Sequence, residues 1–297
     1  MSSDAVGTPV VIRRLRGHLQ LARISNSPTV ASNVLAGAAL GGSLTLGGAT
    51  GFVVLAMVLL YTAGMYLNDI LDYTLDVRER PGRPLPSGVV PRAEAAVVTT
   101  LLFAAGLGLL ATVSSAALLG GTALAILIVV YDLWHKTNPI SPLLMAGTRM
   151  LVYLIASWAF APAVGNALLV WTVLLGAYIV GLTYIAKTER QTHLARYWPV
   201  ALLALPAIYF ALTLSAAPSL PGYGLLAGFL LWVAYSLTSL YNPRHRNVGR
   251  TVGNLIAGVS LLDALVLFHQ RAPYELLLLA LSAFVLTLFW QRFIKGT

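Results

Sequence analysis

The sequence predicts an all-α fold, a polytopic membrane bundle of nine to ten transmembrane helices, on three observations. First, 58% of the 297 residues are hydrophobic and only 10% are charged, against about 25% charged in a soluble domain; the mean hydropathy is +0.80. Second, apolar runs long enough to cross a bilayer follow one another along almost the whole chain. Third, the basic residues fall in alternate connections between those runs. There are no cysteines, which excludes disulfides, thiolate metal sites and cysteine nucleophiles.

A helical span needs about 20 mostly apolar residues. Residues 1–17 read as a polar cytoplasmic tail carrying Arg13, Arg14 and Arg16, without the pattern of a cleavable leader, and 18–297 as a single membrane domain. The first span, 20–45, contains Gly37-x-x-x-Gly41, a spacing that lets helices pack closely. It stops at Gly47-Gly48. The second, 51–70, runs into a polar stretch from Asn68, followed by Arg78, Arg80, Arg83 and Arg92. Spans 93–114 and 116–134 come next and end at Lys136. Spans 142–162 and 167–187 are divided by Gly165-Asn166, and 198–217 and 221–241 meet at Pro221-Gly222. Spans 249–270 and 274–293 complete the ten.

The loop charges agree with an even number of crossings. With both termini on one side, that side receives all but Arg149 and Arg271 of the 19 lysines and arginines. The positive-inside rule makes it the cytoplasmic side, which in a bacterium means a protein of the plasma (inner) membrane with both termini cytoplasmic. The net charge of +9 is thus spread over short loops, and no nucleic-acid partner is expected. Arg244-His245-Arg246 reads as a topology signal on the same ground, or as a lipid headgroup contact. Any site for a charged substrate should open on this side.

The stretch Asn68-Asp69-Ile70-Leu71-Asp72-Tyr73-Thr74-Leu75-Asp76 holds three of the chain's ten acidic residues. If the helix continues through it, Asp69, Asp72 and Asp76 stand at i, i+3 and i+7 and share one face. Local pairing with Arg78 and Arg80 is the plain explanation. Binding of a divalent cation is the functional one, since carboxylate oxygens suit magnesium. An arginine-rich loop beside such a cluster suits a diphosphate. The five histidines show no metal-binding spacing. Arg149, well inside its span, should face the bundle interior or a wet cavity, either for function or to pair with Asp132. Asp263, in mid-span, is either a proton-handling group or a hydrogen-bonded packing residue.

Asn68-Asp69-x-x-Asp72-x-x-x-Asp76, followed by Arg80-Pro81-Gly82-Arg83-Pro84-Leu85-Pro86-Ser87-Gly88, resembles the first aspartate-rich motif of the UbiA superfamily of intramembrane prenyltransferases. Arg23, Asn26, Pro28, Asn33 and Gly37 are similar to that family's opening helix. Tyr131-Asp132-Leu133-Trp134-His135-Lys136 is similar to its tyrosine–lysine segment. The resemblance implies a central cavity in which Mg2+ bridges an isoprenyl diphosphate to two acidic motifs, with the prenyl chain in a lateral apolar tunnel. The first motif carries over as metal ligands Asn68, Asp69, Asp72 and Asp76. The second departs from the pattern. Between Thr183 and His193 the only carboxylate is Glu189, which leaves three alternatives: one metal is lost, Lys187 replaces a metal's charge against the diphosphate, or catalysis itself is lost. With Val130-Tyr131-Asp132 and Arg149, this departure resembles the EboC-type UbiA-like branch.

The expected activity is Mg-dependent transfer of a prenyl group from an isoprenyl diphosphate to an aromatic or lipid-like acceptor within the membrane. Asp69, Asp72, Glu189 and Lys187 are the expected catalytic residues. Asn33, Arg83, Tyr131, Lys136, Arg149 and Tyr184 are expected to bind substrate, and Tyr66 and Tyr153 to line the cavity with Tyr131 and Tyr184. The alternatives are a non-catalytic protein that binds or moves an isoprenoid or other lipid, and a terpene cyclase using the same ionisation.

Overall fold

The computed structural model of the chain describes residues 10–135, 138–161, 165–188, 197–241 and 246–294. Twelve α-helices and no strand occur among the described residues. The first is short and amphipathic. In α1 (Val10–Leu21), Gly17 and Leu21 face the body while Val10, Val11, Ile12 and Leu15 remain exposed. Arg14 pairs with Glu94, so the expected boundary at residue 17 falls inside a docked helix. Arg23 adopts a left-handed conformation at φ 42° and turns the chain into a single 3-10 turn, Ile24–Asn26. α2 (Ser27–Leu40) follows and ends where Gly42 takes φ +85°. The span expected over 20–45 is thus two helices with a bend between them.

α3 (Gly48–Leu71) stops at Asp72, and α4 (Tyr73–Glu79) begins directly after it. The remaining helices are α5 (Arg92–Val113), α6 (Ser115–Trp134), α7 (Ser141–Trp158), α8 (Asn166–Lys187), α9 (Trp198–Ala216), α10 (Leu220–Tyr241), α11 (Val248–His269) and α12 (Tyr274–Gln291). Eight of the described helices, α3, α5, α6 and α8 to α12, are long and apolar enough to cross a membrane. The other two expected spans fall short for different reasons. α2 has 14 residues, about 21 Å at the helical rise. α7 has 18, but its polar residues, Arg149 among them, lower its hydropathy. The chain is an integral, multi-pass membrane protein.

Burial explains why α2 can be short and polar. It packs against α3, α7, α11 and α12, so protein rather than lipid surrounds it. A Cβ on Gly37 would lie 2.6 Å from the Tyr153 carbonyl oxygen, and one on Gly41 would lie 2.7 Å from Ser157 Oγ. Both glycines therefore permit the close approach of α2 to α7 that their spacing predicts. Two large apolar clusters result. One gathers Val30, Val53, Met57, Leu60 and Leu124 from α2, α3 and α6. The other gathers Trp171, Leu175, Leu203, Phe229 and Leu262 from α8 to α11. α2 and α7 contribute to both.

Candidate functional site

A cavity of about 1310 Å³ lies where the two clusters meet. Its walls are apolar in depth, with Met57, Leu124, Ile128, Val152, Ile179 and Val259 among the lining residues. Polar side chains converge on it from several helix ends, notably Arg23, Asn68, Arg83, Tyr131, Asp132 and Arg246.

The loop after α4 fixes one part of this ring. Leu85 and Val90 are buried against Leu21, Ala22, Tyr66 and Ala95, and Pro84 is buried with them, so the loop is anchored from Arg83 onward while Pro81 and Gly82 stay exposed. Arg83 is thereby aimed back at the motif. Its Nη1 donates to Asp76 Oδ2 at 2.7 Å and lies 3.5 Å from Asp69 Oδ1. Arg23 Nη2 reaches Asn68 Oδ1 and Asp69 Oδ1, each at 3.3 Å. Asp69 and Asp76 are buried, so each is compensated by a guanidinium as burial of a charge requires. The helix breaks at Asp72, which is half-buried, yet Arg83 bridges to both Asp69 and Asp76. The local-pairing explanation thus operates through Arg23 and Arg83.

Asn68 Nδ2 donates to Asp132 Oδ1 at 3.0 Å. Asp132 is therefore joined to the motif, and the expected pairing of Arg149 with Asp132 is replaced by another. Arg149 Nη1 donates to Asn33 Oδ1 at 2.9 Å and Nη2 to Thr29 Oγ1 at 3.2 Å, and its guanidinium lies 5.6 Å from the Tyr61 ring centre. Asp132 Oδ2 is buried and has no hydrogen-bond partner among the described residues.

That orphaned acceptor tests the fit of magnesium. Among the described residues no three histidine or carboxylate side chains are already gathered for a metal. Magnesium does not need such a cage, because it keeps waters and takes one or two carboxylates with substrate phosphates. Asn68, Asp69, Asp72 and Asp132 offer hard oxygen donors of that kind, one of them unsatisfied. The residues fit the ion.

Other expected positions are placed elsewhere. Tyr131 lines the cavity and stacks on His135, ring centres 5.0 Å apart. Tyr184 packs on Trp198 at 4.5 Å and is not among the lining residues. Lys187 Nζ donates to the Asn138 carbonyl at 3.0 Å, tying α8 to the α6–α7 connection instead of entering the cavity. Asn33 is fully buried behind Arg149. Tyr66 hydrogen-bonds His18, and Tyr153 hydrogen-bonds Asp263, so neither lines the cavity. Glu189 and Lys136 lie outside the described residues. Arg246, expected as a topology signal or a lipid headgroup contact, lines the cavity and donates to Thr188 Oγ1 at 2.9 Å. Tyr61 was missed: an aromatic residue inside an apolar run gives no signal of facing inward.

A family model described as the UbiA prenyltransferase family matches residues 27–250. A digeranylgeranylglyceryl phosphate synthase of Methanopyrus kandleri is 32% identical over 172 residues, 57% of this chain and 60% of that protein. One of Methanoregula boonei is 35% identical over 143 residues, 47% of this chain and 48% of the relative. The chain thus spans less than two thirds of the length of these curated relatives. Among solved structures, a UbiA homologue from Archaeoglobus fulgidus bound to GPP and Mg2+ superimposes with a TM-score of 0.63 at 14% identity, covering 91% of this chain and 99% of that one.

Proposed function

Because the chain belongs to the UbiA prenyltransferase family, we propose that it transfers a prenyl group from an isoprenyl diphosphate to an acceptor inside the membrane. The observation that carries the reading is one cavity with two chemistries: apolar walls, and a ring of arginines around the buried Asn68–Asp132 pair. In the reaction the allylic C–O bond breaks, its electron pair leaves with the diphosphate, the acceptor's nucleophile closes on the carbocation, and the proton that the acceptor loses passes to the departing diphosphate. Arg23, Arg83 and Arg149 hold the diphosphate oxygens and offset the charge of the leaving group. The ring faces of Tyr61 and Tyr131 stabilise the cation. The apolar walls exclude water that would quench it. Bound to Asn68, Asp69, Asp72 and Asp132, Mg2+ would supply charge neutralisation at the diphosphate. Asp76 supports this set by orienting Arg83. Glu189 and Lys136 are proposed to serve the same end.

The relatives' names support the lipid-like acceptor class over the aromatic one. The loop charges support a cytoplasmic mouth, both termini on that side, and the plasma membrane in a bacterium. One observation favours a second reading, a protein that binds or moves an isoprenoid without turnover: Glu189 is the only carboxylate where relatives of the family are expected to carry several. Purified protein incubated with Mg2+ and a panel of isoprenyl diphosphates, with and without a lipid acceptor, distinguishes them by diphosphate release. Release that depends on acceptor and magnesium supports transfer. Binding without release supports the second reading.

A further inference from the structure

Three helices meet behind Arg149 through side chains spaced at one helical turn. Thr29, Ser32 and Asn33 share a face of α2, Arg149 and Tyr153 a face of α7, and Ser260 and Asp263 a face of α11. At the centre is Asp263, fully buried. Its Oδ1 accepts from Tyr153 Oη at 2.6 Å, and its Oδ2 accepts from Ser32 Oγ at 2.5 Å. Asn33 Nδ2 donates to both oxygens at 2.9 Å. A hydroxyl has one proton, so with Ser32 donating to Asp263 the 2.9 Å contact between Ser32 and Ser260 is donated by Ser260.

The order of these groups has a chemical logic. A carboxylate only accepts and a guanidinium only donates, while a neutral amide has one end of each kind. Asn33 turns its NH2 to Asp263 and its oxygen to Arg149 Nη1. Reversal of the amide would set its N–H groups against the guanidinium, so the carboxylate dictates the orientation. A direct ion pair would occupy the guanidinium fork. Through Asn33 the negative charge is kept one residue away, and two of the five N–H donors of Arg149 are taken by Asn33 and Thr29. Arg149 lines the cavity.

We propose that Asp263 is a positioning residue: by fixing the amide of Asn33 it holds Arg149 as a rigid cation for the donor's diphosphate. This rests on the donor reading above. Asp263 touches no substrate, and its effect reaches the cavity only through Asn33 and Arg149.

A double-mutant cycle tests it. The readout is binding of the unreactive analogue geranyl thiodiphosphate, with Mg2+, to the full-length protein in detergent. Asp263→Asn should weaken binding about tenfold, the equivalent of one hydrogen bond to a charged group. In the Arg149→Gln background the same change should have no further effect. Residues coupled in this way are non-additive, whereas a general packing role would multiply the two losses. Multiplied losses, or no loss with Asp263→Asn, overturn the proposal while leaving the donor reading intact. Failure of the parent protein to bind the analogue overturns both. Melting curves accompany each variant. If Asp263→Asn or Arg149→Gln does not fold, Tyr153→Phe combined with Arg149→Lys closes the same cycle, with the same non-additivity expected and additivity again overturning the proposal.

Discussion

Arg83 donates to Asp76 at 2.7 Å across the loop that follows α4, and the same nitrogen lies 3.5 Å from Asp69. One guanidinium therefore joins two carboxylates from opposite sides of the helix break at Asp72. In the proposed reaction a diphosphate arriving with its counter-ion would compete for the arginine and for the acids, so its binding would rearrange this cluster.

Asp76→Asn is expected to destabilise the protein by about 1.5–3 kcal/mol, the range for a hydrogen bond to a charged group. Thermal unfolding in detergent measures it. Saturating Mg2+ and analogue should recover part of the loss, because ligand that binds only the folded state stabilises it. An unchanged melting temperature would remove Asp76 from the account of Arg83.

Magnesium dependence is expected to reside in the first motif. Asp72→Asn should weaken Mg2+-supported binding of a diphosphate analogue more than Glu79→Gln, whose side chain is on the exposed face of α4. Titration calorimetry with and without the metal reads the difference. Equal losses, or metal-independent binding by the parent, would count against the site.

The end of α8 decides between turnover and binding alone. Glu189→Gln should abolish diphosphate release if the protein is an enzyme. Turnover that survives Glu189→Gln sinks the role given to that residue.

Gly37→Val should cost about 1–3 kcal/mol, the usual penalty of overpacking. The added Cβ meets the backbone of Tyr153, which cannot move aside as a flexible side chain would. Because Tyr153 holds Asp263, analogue affinity should fall with stability. A fully stable Gly37→Val protein would contradict the packing described for α2 on α7.

Orientation is checked by reporter fusions. Fusions at Gly165 and Pro221 should report the outer side, and fusions at Arg244 and Thr297 the cytoplasmic side. An outer signal at Thr297 would show that one of the last two segments does not cross.

The hydrophobic runs and the aspartate motif were legible because both are local. An apolar segment declares itself by length, and Asp69, Asp72 and Asp76 by spacing. The contacts that give the motif its partners were not legible. Asn68 meets Asp132, and Asn33 meets Asp263, across 64 and 230 residues. One-turn spacing can mark a polar face on a helix, but nothing in the sequence announces which distant position answers it. The bend at Arg23 was hidden as well, since a left-handed arginine between two helices looks like one more residue of a long span. Lys187 and Tyr184 turn to other neighbours, Asn138 and Trp198, a choice of direction that sequence spacing does not reveal.

The shortness and polarity of α2 also bear on how the chain is assembled. Its Ser32 and Asn33 are satisfied by Asp263 and its neighbours on α11, far later in synthesis. Until that helix is made, Ser32 can turn to the Thr29 carbonyl of its own helix, but the Asn33 NH2 group lacks its carboxylate, and an unsatisfied group costs several kcal/mol in hydrocarbon. The nascent segment is therefore expected to stay in a polar environment, or to shelter against α3, until α11 arrives. On this account α2 is built early and seated late.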